Sequence, residues 1–199
     1  MKKIVFILVL CSTFIVHAAA NPQAGEQLAA VCVACHGAKG ISSNPQWPSL
    51  AGQHAAYLAK QLQDYQQGKT RSSAIMAPMV ANLKEQDILD LADYYANLPL
   101  PEGQTPQKYL TRGEQLYRGG DFSKHITACI ACHGPRGTGN NQAGFPVLSG
   151  QQAVYTMQQL EAFKRGTRSN DLNAIMRDIS KRMGKKDMEA VSYYVAGLH

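Results

Sequence analysis

Strand-like alternation of apolar and polar residues is nearly absent from this sequence of 199 residues. That lack removes the βαβ setting that a thioredoxin-like dithiol site needs. Long apolar runs are also missing. The one candidate, Ile4 to Val16, is broken by Cys11, Ser12 and Thr13 and is too short to span a bilayer comfortably. Lys2 and Lys3 precede it and Ala18-Ala19-Ala20 follows it. This pattern predicts a secretory signal peptide, residues 1–20, cut after Ala20. Leu10 is too bulky for a lipoprotein cleavage before Cys11. Cysteine is scarce once the leader is removed: Cys32, Cys35, Cys129 and Cys132 remain, in two C-x-x-C pairs. Cys35 and Cys129 are 94 residues apart. A zinc site of two C-x-x-C units wants about 15–20 residues between them.

Charge is unevenly spread. Residues 21–105 hold 5 basic and 7 acidic side chains, and residues 106–199 hold 13 and 7. The mature chain is therefore acidic in its first half and basic in its second. An exported protein has little access to nucleic acid, so the basic half suits a charged protein partner or an anionic membrane surface. An ordinary solvated face accounts for it equally well.

The chain also repeats itself. Cys32-Val33-Ala34-Cys35-His36-Gly37 matches Cys129-Ile130-Ala131-Cys132-His133-Gly134. Trp47-Pro48-Ser49-Leu50-Ala51-Gly52-Gln53 matches Phe145-Pro146-Val147-Leu148-Ser149-Gly150-Gln151. Tyr57, Gly68 and Tyr94 match Tyr155, Gly166 and Tyr194, and Ala74-Ile75-Met76 matches Ala174-Ile175-Met176. The offset drifts from 97 to 100, so only small insertions are expected between the copies. The expected organisation is a tandem duplication, with domain 1 over 21–98, a stiff Pro-rich linker over 99–106 and domain 2 over 107–199.

Each copy reads as helical. Asn21-Pro22 and Thr105-Pro106 are cap-plus-proline starts. Apolar periodicity predicts helices over 53–67 and 84–97 in copy 1, and over 151–165 and 185–197 in copy 2. The intervening Gly-, Pro-, Ser- and Asn-rich segments are too long for simple turns unless they wrap around something. A domain of this size also has a thin core of its own. A large apolar cofactor in each copy answers both points.

C-x-x-C-H names that cofactor, since it is the attachment pattern of c-type haem. Two residues between the thiols let one helical turn carry both to the ring edge, and the adjacent histidine lies beneath the iron. Disulfides would not need a histidine beside the second cysteine twice. The expected cofactors are two covalently bound haem c groups, held by Cys32 and Cys35 and by Cys129 and Cys132, with His36 and His133 as proximal ligands. The sixth position decides between electron transfer and catalysis. No histidine recurs to fill it: His54 aligns with Gln152 and His125 with Leu28. Met76 and Met176 do recur. Met79 stays open as an alternative in copy 1, because it lies 43 residues after His36, as Met176 does after His133. The carbonyls of Pro48 and Pro146 are candidates to orient the histidines, and Arg71 and Arg168 to meet haem carboxylates.

Two C-x-x-C-H copies, a Pro-x-Leu-x-Gly-Gln segment after each and a final helix carrying Tyr-Tyr resemble the dihaem cytochrome c4 family over the whole mature chain. The resemblance implies two class I cytochrome c folds packed together, propionates facing their interface, and His36–Met76 and His133–Met176 ligation. It further implies periplasmic transfer of single electrons from a respiratory donor toward a terminal oxidase, an electron carrier with no catalytic residues. Peripheral membrane association is compatible with it. Two rival readings are a dihaem peroxidase, which needs one open or displaceable ligand, and a fixed electron-transfer subunit of a periplasmic dehydrogenase.

Overall fold

The computed structural model describes residues 19–199. The predicted leader lies outside them, apart from its last two residues. Among the described residues the secondary structure is helical, with two isolated β-bridges and no β-strand. None of these helices is long and apolar enough to cross a membrane.

Copy 1 contains α1 (Pro22–Leu28), α2 (Val33–His36), α3 (Ala55–Gln67), α4 (Met76–Val80) and α5 (Glu85–Ala96). Copy 2 contains α6 (Gln107–Glu114), α7 (Ile130–His133), α8 (Ala153–Arg165), α9 (Ile175–Arg182) and α10 (Lys185–Ala196). Local chemistry sets the ends. The Asn21 side chain accepts hydrogen bonds from Gln23 N and Ala24 N, capping α1 before the proline at its first position. Gly68 and Gly166 stop α3 and α8 in left-handed conformation, φ 65° and 73°. Asp87 and Asp187 accept from the backbone N–H three residues earlier and close the starts of α5 and α10.

Each copy has its own core. In copy 1 Leu58, Ile88, Leu91, Ala92 and Tyr95 are buried together. In copy 2 Leu116, Tyr117, Leu160, Met188, Val191 and Val195 form the counterpart. The first and last helices of each copy cross at a glycine. A Cβ on Gly25 would lie 2.1 Å from the Asp90 carbonyl oxygen, and one on Gly113 would lie 2.5 Å from Tyr194 Cβ. Because Tyr94 and Tyr194 stand at the same place in both copies, Gly25 corresponds to Gly113.

That pairing revises the expectation of small insertions. Sixteen residues separate Gly113 from Cys129, against seven between Gly25 and Cys32. Copy 2 thus carries extra chain before its haem motif, and His125 falls inside it instead of opposite Leu28. The extra chain is ordered by charge. Asp121 and Ile126 exchange two backbone hydrogen bonds of 2.9 Å. The Asp121 carboxylate accepts from Ser123 Oγ and Arg112, and Arg112 and Lys124 both reach Asp187. The Ser123 hydroxyl and the Arg112 guanidinium pull the Asp121 carboxyl down to about 2. Its unfolded value is about 3.9, so the contribution to stability is complete above that pH and disappears as pH falls through about 2. The Ile126 amide resonance is expected to titrate near pH 2. In Arg112→Ala that midpoint should move back toward about 3.9.

The two copies are joined by reciprocal contacts. Gln53 Nε2 donates to Val147 O at 3.0 Å, and Val147 N donates to Gln53 Oε1 at 2.9 Å. Gln151 repeats this with Ser49, at 2.9 Å both ways. The repeated Gly-Gln pair therefore builds a two-fold-related clasp, each glutamine acting as one rung of a backbone ladder across the interface.

Candidate functional site

Between the copies lies one continuous cavity of about 1030 Å³, mainly apolar. It exceeds the roughly 300–1,000 Å³ of ordinary ligand pockets. Both C-x-x-C-H motifs line it, as do Met76, Met79 and Met176. The sequence-predicted site residues, scattered over 145 positions from Cys32 to Met176, are thus brought to one place.

The histidines are set by their loops. His36 Nδ1 lies 2.8 Å from Pro48 O and His133 Nδ1 lies 2.9 Å from Pro146 O. A carbonyl only accepts, so Nδ1 carries the proton and Nε2 keeps its lone pair. Burial pushes both imidazoles below the usual histidine value, with the proline carbonyls opposing weakly. Both rings are neutral at pH 7 and ready to ligate a metal. No cluster of three His, Cys, Asp or Glu gathers for a metal ion among the described residues.

The four cysteines form no disulfide and stand at the first and last positions of one helical turn, Cys32 and Cys129 just before α2 and α7 and Cys35 and Cys132 within them. Burial raises the Cys32 thiol and pushes Cys129 up to about 11. Neither is the low-pKa thiolate of a redox-active dithiol.

Arg71 and Arg168 line the cavity and are only 5% and 6% exposed. Each crosses to the other copy: Arg71 donates to Tyr155 Oη at 2.7 Å and Arg168 to Tyr57 Oη at 2.8 Å. Burial raises the Tyr57 phenol, but the two guanidiniums outweigh it and the net shift is downward. Among the described residues neither arginine is paired with a carboxylate. Two buried cations facing neutral phenols and amides are costly. They call for anionic groups in this cavity. An apolar macrocycle with acidic side arms fits the chamber, the thiols, the neutral imidazoles and the two guanidiniums.

The loops leading to the methionines differ. From Arg71 to Ala74 there are two intervening residues, and from Arg168 to Ala174 there are five. With the insert 171–173 discounted, Met176 takes the place of Met76, which accounts for the equal count of 43 that pointed to Met79. Met76 and Met176 are half-buried, whereas Met79 is 44% exposed. The insert also forces Asn173 and Ala174 to φ 49° and 60°. For residues with a Cβ this conformation costs about 1–2 kcal/mol each. Sequence reading missed the insert's position because self-alignment registers only its length.

The Cytochrome c family model matches the chain twice, over residues 22–99 and 110–199. Cytochrome c4 of Pseudomonas aeruginosa is 43% identical over 97% of this chain and 96% of that protein. A thiosulfate dehydrogenase electron acceptor of Thiomonas intermedia is 38% identical over 90% of this chain and 81% of its own length. The crystal structure of reduced recombinant cytochrome c4 from Pseudomonas stutzeri superposes with a TM-score of 0.88 at 42% identity, covering 91% of this chain and all of that one.

Proposed function

Since the chain belongs to the dihaem cytochrome c4 family, with two covalently bound haem c groups, we propose that it is a periplasmic carrier of single electrons between respiratory partners, delivering them toward a terminal oxidase. The observation that carries this reading is the shared cavity, in which both C-x-x-C-H motifs and one half-buried methionine from each copy face a common interface.

In this reading Cys32 and Cys35, and Cys129 and Cys132, hold the two groups by thioether bonds. His36 and Met76 ligate one iron, and His133 and Met176 the other. Each haem supplies a reversible one-electron iron couple, whose potential the methionine raises. The chain's own residues supply the rest. Pro48 and Pro146 fix the histidine tautomers through their carbonyls. Arg71 and Arg168 neutralise the carboxylate arms where the copies meet. The two glutamine clasps hold the domains at fixed separation. A rigid site whose ligands stay in place in both oxidation states has little to reorganise.

Met76 is favoured over Met79 by its place in the repeat and its greater burial. The predicted leader supports export. The charge difference between the halves supports different partners at the two ends. Relatives named as electron acceptors of a thiosulfate dehydrogenase support a dehydrogenase as one class of donor. Carbon monoxide tests the reading. The dithionite-reduced spectrum should not change when the gas is added, because both irons are closed. A shift in one haem would instead support the peroxidase reading.

A further inference from the structure

We propose that domain 1 positions the methionine that would ligate the haem of domain 2, with Asp64 and Gln61 of α3 holding Asn170 at the root of the loop that leads to Met176. The proposal rests on the ligation set out above.

The two methionine loops are anchored differently. In copy 1 the anchor is internal: Ser73 Oγ accepts from Ile75 N at 3.3 Å and Met76 N at 3.2 Å. Asn170 stands where Ser73 does; its Oδ1 accepts from Arg168 Nε at 2.9 Å within its own domain, while its Nδ2 leaves that domain. Asn170 Nδ2 donates to Gln61 Oε1 at 2.7 Å and to Asp64 Oδ2 at 2.6 Å. The neighbouring Ser169 N donates to Thr70 O at 2.7 Å, which also crosses the interface. Among the described residues no reciprocal contact exists, because Ala162 occupies the Asp64 position in α8. Asp64 is itself fixed: it is 7% exposed and takes Lys60 Nζ at 2.6 Å.

Downstream of Asn170 the loop is stiff. Asp171 accepts from Arg177 N at 2.9 Å and Arg177 Nε at 2.7 Å. Asn173 and Ala174 then hold two successive left-handed conformations immediately before Ile175 and Met176. Such a turn persists only where its surroundings over-determine it. The surroundings are Arg177 on one side and domain 1 on the other. Loosening the domain 1 anchor lets the strained pair relax, and Met176 moves with it. Met76, anchored by its own Ser73, is indifferent. The hold of Met176 on the haem of domain 2 would thereby depend on the interface, and that of Met76 on the haem of domain 1 would not. Asp64, Gln61 and Asn170 are positioning residues, since none of them reaches the iron.

The test uses the full-length holoprotein in its oxidised form. Imidazole is titrated in while the two iron-bound methionine methyl resonances are followed by proton NMR. Met176→Ala identifies the resonance of domain 2 by abolishing it. Asn170→Ala, which removes the bonds to Asp64, Gln61 and Arg168 together, is expected to raise imidazole affinity at that haem about tenfold, on the scale of its charge-assisted bond to Asp64, and to leave the other haem unchanged. Asp64→Ala, made in domain 1, should do the same to the haem of domain 2. Ala174→Gly should act in the opposite sense and lower that affinity severalfold, because glycine adopts the left-handed conformation without strain. It keeps the question decidable if Asn170→Ala folds poorly. Equal changes at both haems, or none at the haem of domain 2, would overturn the proposal while Met176 stands as ligand. Two intact methyl signals in Met176→Ala would remove the ligation reading and the proposal with it.

Discussion

Gly25→Ala is expected to destabilise domain 1 by about 3 kcal/mol or more, at or beyond the upper end of ordinary overpacking. The new Cβ would lie 2.1 Å from the Asp90 carbonyl oxygen, 2.6 Å from the Asp90 carbonyl carbon and 2.8 Å from Tyr94 Cβ. None of these atoms can swing away by side-chain rotation, so α1 must lift from α5. Lifting breaks the hydrogen bond from Asn21 N to Asp90 Oδ1, 2.8 Å long. It also opens the core over Ile88, Leu91 and Ala92, which are 2–3% exposed. A domain of this size has about 4–12 kcal/mol of stability in all. A loss of about 3 kcal/mol lowers its melting temperature by roughly 12–24 °C. Gly113→Ala should act in the same way on domain 2, its Cβ meeting Tyr194 Cβ at 2.5 Å and the Ala190 carbonyl oxygen at 2.6 Å. Gly68→Ala provides the contrast. Its Cβ meets nothing within 4 Å, and only the φ of 65° opposes it, at about 1–2 kcal/mol. Calorimetry of the three holoproteins separates steric overlap from backbone preference. If Gly25→Ala and Gly68→Ala melted alike, the close helix crossing would not be what holds domain 1 together.

The duplication, the all-helical class and the haem motifs were legible because each recurs in the chain. Helices expected over 53–67 and 151–165 are observed as Ala55–Gln67 and Ala153–Arg165. Their glycine stops are local chemistry, so their C-terminal ends agree, while the N-terminal ends, without a side-chain cap, start two residues late. Self-comparison shows what two copies share and hides what only one has. The ordered segment before Cys129 belongs to copy 2 alone, and only the unequal distances from Pro22 to Cys32 and from Pro106 to Cys129 mark it in the sequence. Gln53 and Gln151 were visible as a repeated pair, but their reach across the interface is a tertiary fact with no local signature. Asp64 and Asn170 left no trace at all. Neither recurs, and the 2.6 Å contact between them joins residues 106 positions apart in different copies.

Met176→Ala should convert the haem of domain 2 from a closed to an open site while its attachment survives. Cys129, Cys132 and His133 lie on or beside α7, and Pro146 holds the His133 ring at 2.9 Å, so the proximal side does not depend on Met176. The apolar side chains Ile175, Ile179, Leu160 and Phe163 line the same cavity as Met176, and none of them has a donor atom for iron. Met183 is 2% exposed and packed into the core of copy 2, where leaving would open a cavity. The reduced variant should therefore bind carbon monoxide at one haem only. The midpoint potential of that haem should fall on the order of 100 mV, since methionine ligation is what raises it. Met76→Ala differs in one respect. Met79 lies three residues further along α4, on the same side of the helix, and also lines the cavity. It is free to take the vacant position, so the carbon monoxide response of that variant should be smaller than that of Met176→Ala. The double variant Met76→Ala with Met79→Ala should restore the full response. A Met176→Ala protein that ignores carbon monoxide and keeps both potentials would mean that another group closes the second iron. The recurrence of Ala-Ile-Met would then be a feature of packing and not of ligation.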